Sequence, residues 1–90
     1  MLIVKKSTQF KKDYKRCQKQ GQNMDLLKDI VATLSIPALL PPEKNDHQLV
    51  GNHLGERECH ITSDWLLIYR VDGSILYLVR TGSHSDLFKL

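Results

Sequence analysis

Several features that mark large protein classes are scarce in this 90-residue sequence. Its two cysteines, Cys17 and Cys59, are too few for a disulfide framework, and neither belongs to a C-x-x-C pair. No apolar run approaches the ~20 residues needed to cross a bilayer. The first residues carry their charges after a very short apolar stretch, which is not a signal-peptide pattern. We therefore expect a cytoplasmic protein without membrane association, whose cysteines are reduced and buried as small apolar side chains.

Glycine and proline are also few, and their positions divide the chain. There are five glycines and three prolines, and all the prolines fall within residues 37–42. The 41% apolar and 26% charged residues are ordinary values for a globular protein. A chain of this length holds one hydrophobic core. We expect a single domain over residues 1–90, with helices before the prolines and strands after them.

The first part of the chain predicts a strand and two short helices. A β-prone run covers Leu2–Val4, and Ser7 then stands where a helix N-cap is needed. No glycine or proline interrupts the next residues until Gly21 ends the first helix, after which Asn23 or Asp25 can cap the second. The apolar positions repeat with helical spacing: Phe10, Tyr14 and Cys17 in the first helix, and Leu27, Ile30, Val31 and Leu34 in the second. Two such stripes joined by about three residues predict an antiparallel helical hairpin.

The second part predicts an antiparallel sheet. Strand-like runs cover residues 57–61, 65–71 and 75–80, and Asp72-Gly73 between the last two is a strong hairpin signal. The stretch from the prolines to about Gly55 is expected to be an irregular loop. The complete pattern predicts an α+β fold: an N-terminal edge strand, a two-helix antiparallel hairpin, and an antiparallel β-sheet meander packed against the helices.

Positive charge is concentrated in the first 20 residues. They hold seven basic residues against one acid, a local charge of +6, whereas the whole chain carries +3. Lys11, Lys12 and Lys15 lie in the middle of this segment. Such a segment suits a polyanion or an acidic protein partner, and it equally fits a solvated helix face kept soluble by lysines.

The sequence holds four histidines, all after residue 46: His47, His53, His60 and His84. Histidine exchanges protons at neutral pH, and Asp64 follows His60 across a turn, so these groups could converge as acids and bases at one sheet edge. One alternative is a zinc site with ligands among His47, Cys59, His60 and His84. None of the short paired spacings of structural zinc sites is present, and Cys59 and His60, as neighbours on a strand, are expected to point to opposite faces. The other alternative is a set of surface histidines without a role in function.

Three further residues suit contacts with RNA. Arg80, near a strand end, could hold a phosphate by bidentate hydrogen bonds. Trp65 or Phe88 could stack on an unpaired base. For Trp65 the alternative of a core tryptophan is favoured, and for Phe88 the alternative is a C-terminal anchor.

Four separated blocks resemble the YafQ-type branch of the RelE/ParE toxin superfamily. The blocks are Asp46–Leu49, Arg57–His60, Asp64–Tyr69 and Arg80–Phe88. They match in order, and the expected layout of strand, hairpin, loop and sheet is similar over nearly the whole chain. The resemblance implies a RelE/ParE-like toxin of a type II toxin–antitoxin system, an endoribonuclease that cleaves messenger RNA in the ribosomal A site.

The resemblance also implies site residues and partners. Its catalytic positions are His47, His60, Asp64, His84 and Phe88, with Arg80 at a phosphate-binding position and Trp65 beside the catalytic aspartate. It implies no cofactor and no metal. The implied partners are a cognate antitoxin, messenger RNA and the ribosome, with operator DNA contacted only through the toxin–antitoxin complex. Lys11, Lys12 and Lys15 would rest on ribosomal RNA or receive an acidic antitoxin segment.

A metal-free mechanism fits these residue types because RNA carries its own nucleophile, the 2′-hydroxyl. Asp64 or His60 would accept the hydroxyl proton, and His84 would protonate the departing 5′-oxygen. His47 and Arg80 would stabilise the phosphoryl charge. Two alternatives remain: a non-enzymatic ParE-like gyrase inhibitor, and a plain nucleic-acid-binding module. ParE-like toxins generally lack the histidine cluster, which favours the nuclease.

Overall fold

The computed structural model describes residues 1–36, 47–48 and 55–88. In chain order the elements are β1 (Ile3–Lys6), α1 (Thr8–Lys19), α2 (Met24–Ser35), β2 (His47–Gln48), β3 (Arg57–Thr62), β4 (Trp65–Asp72), β5 (Ile75–Gly82) and α3 (His84–Phe88). This order confirms the predicted α+β fold. Two short elements, β2 and α3, were not predicted, and His53 lies outside the described residues. Within the described ranges, no helix has the length and apolar character of a membrane span.

The five strands form one mixed sheet in the order β1-β5-β4-β3-β2. The strands β2 to β5 pair antiparallel in sequence order, whereas the edge strand β1 runs parallel to β5. The β4–β5 register shifts once, because Ile68 pairs with Arg80 but Tyr69 pairs with Leu78. Val79 is therefore an extra residue in β5, and such a bulge changes the direction of the side chains next to it.

The two faces of the sheet differ in what covers them. On the helix face, α1 and α2 pack on the sheet and close the main core: Phe10, Cys17, Leu27, Ile30, Leu34, Cys59, Ile61, Trp65, Leu67, Tyr69, Leu76 and Leu78. The opposite side, called the open face here, carries a smaller cluster in which Leu66 and Ile68 contact Val79 and Leu87 of α3. The predicted helix stripes and the burial of both cysteines are confirmed.

Predicted capping residues begin both long helices. The Ser7 hydroxyl accepts a hydrogen bond from the Phe10 amide and donates one of 2.6 Å to the Val79 carbonyl. Ser7 therefore starts α1 and fastens it to β5. Asn23 caps α2 by accepting from the Asp25 amide. Between the helices, Gly21 has a φ of 83°, a left-handed conformation that glycine adopts without steric cost.

Among the described residues, no strand lies beside the end of β5 on the α1 side, because the β1 pairing stops at Lys6 and Leu78. Side chains of α1 take over the backbone groups of β5 there. Asp13 accepts from the Thr81 amide at 3.3 Å, and Arg16 donates to the Thr81 carbonyl at 2.8 Å. At Gly82 a Cβ atom would collide with the Arg16 guanidinium. The helix thus covers a sheet edge that would otherwise expose unpaired polar groups.

Candidate active site

Two histidines meet on the open face of the sheet. His60 alternates along β3 with the core residue Cys59, so its side chain lies on the opposite side. His84 is the first residue of α3, and Ser83 alone separates it from the end of β5. The register explains why they meet, because Leu66 of β4 pairs with His60 on one side and with Gly82 on the other. Their ring centroids are 5.8 Å apart at an interplanar angle of 70°.

Each imidazole has a carboxylate beside it. His60 Nε2 lies 3.4 Å from Glu58 Oε1, and His84 Nδ1 lies 3.5 Å from Asp64 Oδ1. The two carboxylates differ in exposure, since the Glu58 side chain is 6% exposed and that of Asp64 is 76% exposed. The arrangement combines two proton-exchanging rings with one shielded and one solvated carboxylate, which is a set of groups suited to acid–base chemistry.

The start of α3 is fixed by a reciprocal cap around His84. The Ser83 amide donates to Asp86 Oδ2 at 3.2 Å, and the Asp86 amide donates to Ser83 Oγ at 3.1 Å. Arg16 Nη2 lies 3.7 Å from the same Asp86 oxygen. This short helix is therefore held both by its own capping box and by a cation on α1.

A buried carboxylate on α1 organises the neighbourhood of the site. Asp13 is 0% exposed and accepts two hydrogen bonds from Arg80, from Nε at 3.0 Å and from Nη2 at 3.1 Å. It also accepts from Arg16 at 2.8 Å and from Gln9 at 3.2 Å. Burial by itself raises the pKa of Asp13, but the bonds from Arg80, Gln9 and Thr81 outweigh it and bring the pKa below its ordinary value. The same contact with Asp13 raises the pKa of Arg80.

Two predicted RNA-contacting residues are engaged within the protein. Arg80 uses Nε and Nη2 on Asp13, whereas its Nη1 donates no hydrogen bond to the described part of the chain. Trp65 is 0% exposed, and its indole Nε1 donates to Thr81 Oγ1 at 2.8 Å. The core interpretation of Trp65 is therefore confirmed. Stacking of this side chain on an RNA base is not compatible with its burial.

The other predicted residues have the following places. The backbone of His47 lies opposite Glu58 in the β2–β3 pair, and Phe88 is the last residue of α3, while the side chains of both fall outside the described part of the structure. Lys11, Lys12 and Lys15 are exposed along α1. The structure thus brings His60, Asp64 and His84 together, and it adds Glu58, which the sequence analysis missed. An acidic residue at alternate spacing from His60 on a strand was the available signal.

The same cluster offers ligands for a metal ion. One ligand atom each from Glu58, His60 and His84 lies within 4.8 Å of the others. Imidazole nitrogens with a carboxylate oxygen suit divalent copper or zinc. Cys59 is 0% exposed in the core on the helix face and lies apart from the histidines, as expected from its place next to His60 on the strand.

The structure is that of a small α+β protein with a histidine–carboxylate cluster at one end of an antiparallel meander. A family model described as "Bacterial toxin of type II toxin-antitoxin system, YafQ" matches residues 2–89. The chain therefore belongs to the YafQ family of type II toxins, as the resemblance of its motifs indicated.

Known relatives agree with this assignment. The chain is 38% identical over 86 residues to the mRNA interferase toxin YafQ of Escherichia coli K12, with 94% of each chain covered. A copper-bound mutant toxin from Helicobacter pylori is similar with 38% identity and a TM-score of 0.94, covering 98% of this chain and 100% of that one. The Escherichia coli DinJ–YafQ toxin–antitoxin complex contains a chain with 36% identity and a TM-score of 0.89, with 97% of each covered.

Proposed function

We propose that this toxin cleaves messenger RNA by a metal-independent transfer reaction on the open face of its sheet. The chain is an endoribonuclease of the YafQ family. The observation that carries the proposed mechanism is the His60–His84 pair, with a ring separation of 5.8 Å and a carboxylate beside each ring. One phosphodiester placed between two proton-exchanging groups is what cleavage through the RNA 2′-hydroxyl requires.

In the proposed reaction the 2′-oxygen attacks the adjacent phosphorus and the bond to the 5′-oxygen breaks. His60 or Asp64 accepts the 2′-hydroxyl proton, and His84 donates a proton to the departing 5′-oxygen. The products are a cyclic phosphodiester and a free 5′-hydroxyl, so atoms and charge balance without a co-reactant. Glu58, shielded and 3.4 Å from His60, stabilises that imidazole when it carries the proton.

The remaining groups stabilise charge and position the substrate. Arg80 donates to Asp13 through Nε and Nη2, and in the proposed complex its Nη1 donates to a phosphoryl oxygen of the substrate. His47, opposite Glu58 in the register, adds a second donor, and Phe88 contacts the substrate from the end of α3. Because Asp13 already fixes the Arg80 guanidinium before the substrate binds, less conformational entropy is lost when that group contacts the reacting phosphate.

Cleavage of a defined messenger RNA in EDTA, with and without programmed ribosomes, tests this proposal. His84→Ala is expected to lower the cleavage rate by ~10²–10⁴-fold. Ser85→Ala, on the exposed neighbouring position of α3, is the matched control and should cleave normally. Near-normal cleavage by His84→Ala would contradict the assignment of the acid. Loss of cleavage in EDTA, restored by a metal ion, would contradict the metal-independent mechanism.

A metal bound at Glu58, His60 and His84 would inhibit this chemistry. Coordination would occupy the imidazole nitrogens that must accept and donate protons. The copper-bound toxin from Helicobacter pylori shows that a relative of this fold binds such an ion. EDTA is therefore expected to leave the cleavage rate unchanged or to raise it.

The proposed setting is the cytoplasm, where the toxin acts on messenger RNA in the ribosomal A site and a cognate antitoxin silences it. A surface depression of about 260 Å³ beside α1 supports a protein partner, since Phe10 and Tyr14 line it and Lys6, Lys11 and Lys15 surround them. An apolar floor with a basic rim suits an acidic amphipathic segment. Operator DNA would be contacted only through the toxin–antitoxin complex. Growth arrest on expression without RNA cleavage under any condition would favour the gyrase-inhibitor alternative.

A further inference from the structure

A second group of side chains on the open face has no part in the mechanism above. Lys5 of β1 pairs with Tyr77 of β5, and Tyr77 pairs with Arg70 of β4, so the three residues lie side by side on neighbouring strands. Tyr77 alternates with the core residues Leu76 and Leu78, which places this basic–aromatic row on the open face. The Arg70 guanidinium carbon lies 4.5 Å from the centroid of the Tyr77 ring.

The row borders a depression of about 410 Å³. Its lining residues are Lys5, Lys6, Ser7, Glu56, Arg70, Tyr77, Leu78 and Val79. Three of these carry positive charge and one carries negative charge, so the depression favours an anion. Lys5 and Arg70 are exposed, and Tyr77 is half-buried with its ring under the guanidinium. A cation over an aromatic ring presents both a charge for a phosphate and a flat surface for a base.

The depression lies on the same face of the sheet as the histidine pair. Val79, one of its lining residues, belongs to the apolar cluster with Leu66 and Ile68. Leu66 pairs with His60, and Arg70 lies four residues further along β4. At roughly 3.3 Å per residue, the basic–aromatic row lies about 13 Å from the row of His60. An extended single strand cut between the histidines reaches that far within a few nucleotides.

We propose that Lys5, Arg70 and Tyr77 form a substrate subsite that holds the single-stranded RNA next to the cleaved bond. Lys5 and Arg70 contact phosphates, and the Arg70–Tyr77 pair stacks on an unpaired base. This inference rests on the proposed RNA cleavage, because it extends the same binding surface. An RNA strand fits this place better than an antitoxin segment does, because the depression shares the open face with the proposed cleavage site and lies within the reach of an extended strand. The lysine-rimmed depression that suits an acidic peptide lies instead at α1.

Binding measured without cleavage tests the subsite. In a His84→Ala background, Arg70→Ala and Tyr77→Ala are each expected to raise the Kd for a single-stranded oligoribonucleotide about ten-fold. Arg70→Ala should also lower the slope of log K against log salt by about 1. Tyr77→Phe keeps the aromatic ring, so its Kd should equal that of the His84→Ala protein. Arg70→Lys keeps the positive charge but loses the planar guanidinium, so its Kd should lie between those of the His84→Ala protein and Arg70→Ala. Lys28→Ala, which removes one positive charge from α2, is the control and should not change the Kd beyond about two-fold.

Cleavage kinetics on programmed ribosomes form the second arm, with His84 restored. Because the row does not contact the reacting atoms, Arg70→Ala should raise KM and leave kcat within about two-fold. The increase in KM caused by Arg70→Ala should disappear when the RNA is too short to reach Lys5, Arg70 and Tyr77. Unchanged Kd and KM in both Arg70→Ala and Tyr77→Ala would overturn the subsite. Weaker binding of the cognate antitoxin with unchanged RNA binding would overturn it too, in favour of a protein interface.

The two proposals fail in different ways. If the wild-type protein cuts no RNA, the proposed function fails, and the binding arm still decides whether the row holds RNA. If the wild-type protein cuts RNA and the row variants bind and cut normally, only the subsite fails. Thermal melting of each variant separates a loss of contact from a loss of folding, and Tyr77→Phe provides a variant in which the packing of the ring is retained.

Discussion

Replacing Asp13 by asparagine tests the most connected interaction in the structure. The substitution keeps the shape of the side chain and removes its charge. Asp13 is 0% exposed, and two guanidinium groups, those of Arg16 and Arg80, donate to it. The side-chain oxygen of asparagine can still accept hydrogen bonds from a guanidinium group. Its NH2 group, however, replaces the second acceptor oxygen and faces another guanidinium donor. The variant therefore removes the carboxylate that both guanidinium groups contact at hydrogen-bond distance, and it leaves Arg16 beside Asp86 at 3.7 Å.

The energies of the separate hydrogen bonds to Asp13 do not add, so we take the expected loss of unfolding free energy from buried ion pairs as a class. Removing one partner of a buried ion pair costs about 3–5 kcal/mol. A domain of this size has a total unfolding free energy of about 5–15 kcal/mol, so the variant loses a large part of its stability. At about 4–8 °C per kcal/mol, Tm falls by more than about 10 °C. Denaturant unfolding at pH 7 measures the difference directly.

The pH dependence gives a second measurement on the same variant. The folded pKa of Asp13 lies below its unfolded value of about 3.9. The unfolded state therefore takes up the proton first as the pH falls. The stabilisation is complete above the unfolded pKa and is lost as the pH falls through the folded pKa. The free-energy difference between wild type and Asp13→Asn should thus be constant near neutral pH and shrink below about pH 4.

Asp29→Asn, at an exposed position on α2, is the matched control and should change the unfolding free energy by less than about 0.5 kcal/mol. Arg80→Met, made alone and together with Asp13→Asn, completes a double-mutant cycle. The coupling energy between Asp13 and Arg80 should be favourable. Two results would contradict the stabilising role of the Asp13 charge. One is a decrease in unfolding free energy below about 1 kcal/mol in Asp13→Asn, and the other is a decrease that stays the same from neutral pH to pH 3.

Two further predictions concern residues first assigned to RNA binding. Trp65→Phe removes the hydrogen bond to Thr81 and some buried volume, so it should lower stability by about 1–3 kcal/mol while cleavage per folded molecule stays normal; lost cleavage at unchanged stability would contradict the core role. Reversing Lys11, Lys12 and Lys15 to glutamate changes only exposed positions on α1, so the fold should persist while ribosome binding weakens and its salt dependence becomes shallower. An unchanged salt slope would exclude this role for the three lysines.

Periodicity and capping were sufficient to predict most of the fold. Ser7 caps α1 and Asn23 caps α2, while Asp72 ends β4 and Gly73 lies in the turn to β5. Each position has a local backbone requirement that one or two residue types meet. Simple alternation along β4 accounts for its two faces, with Leu67 and Tyr69 in the main core and Leu66 and Ile68 on the open face. These features depend on neighbours in sequence, which is why a single chain shows them.

The features that were missed depend on residues far apart in sequence. Asp13 was counted only as the one acid in a basic segment, because its partner Arg80 lies 67 residues away. Glu58 stands two residues before His60 on the same strand, but only the register of β3, β4 and β5 shows that this pair lies beside His84. The helix α3 has five residues, too few for periodicity to predict it, and its cap from Ser83 and Asp86 is clear only in three dimensions.

The two sides of α1 connect the partner-facing surface with the site. Its exposed lysines suit ribosomal RNA or an antitoxin, whereas Asp13 and Arg16 point inward to β5 and α3. Asp13 fixes Arg80, and Arg16 reaches Asp86, whose cap holds the helix that carries His84. A ligand that displaces α1 by even a small distance would therefore disturb both Arg80 and His84. The site residues come from β3, the β3–β4 turn, β5 and α3, and α1 holds Arg80 directly and the helix of His84 through Asp86.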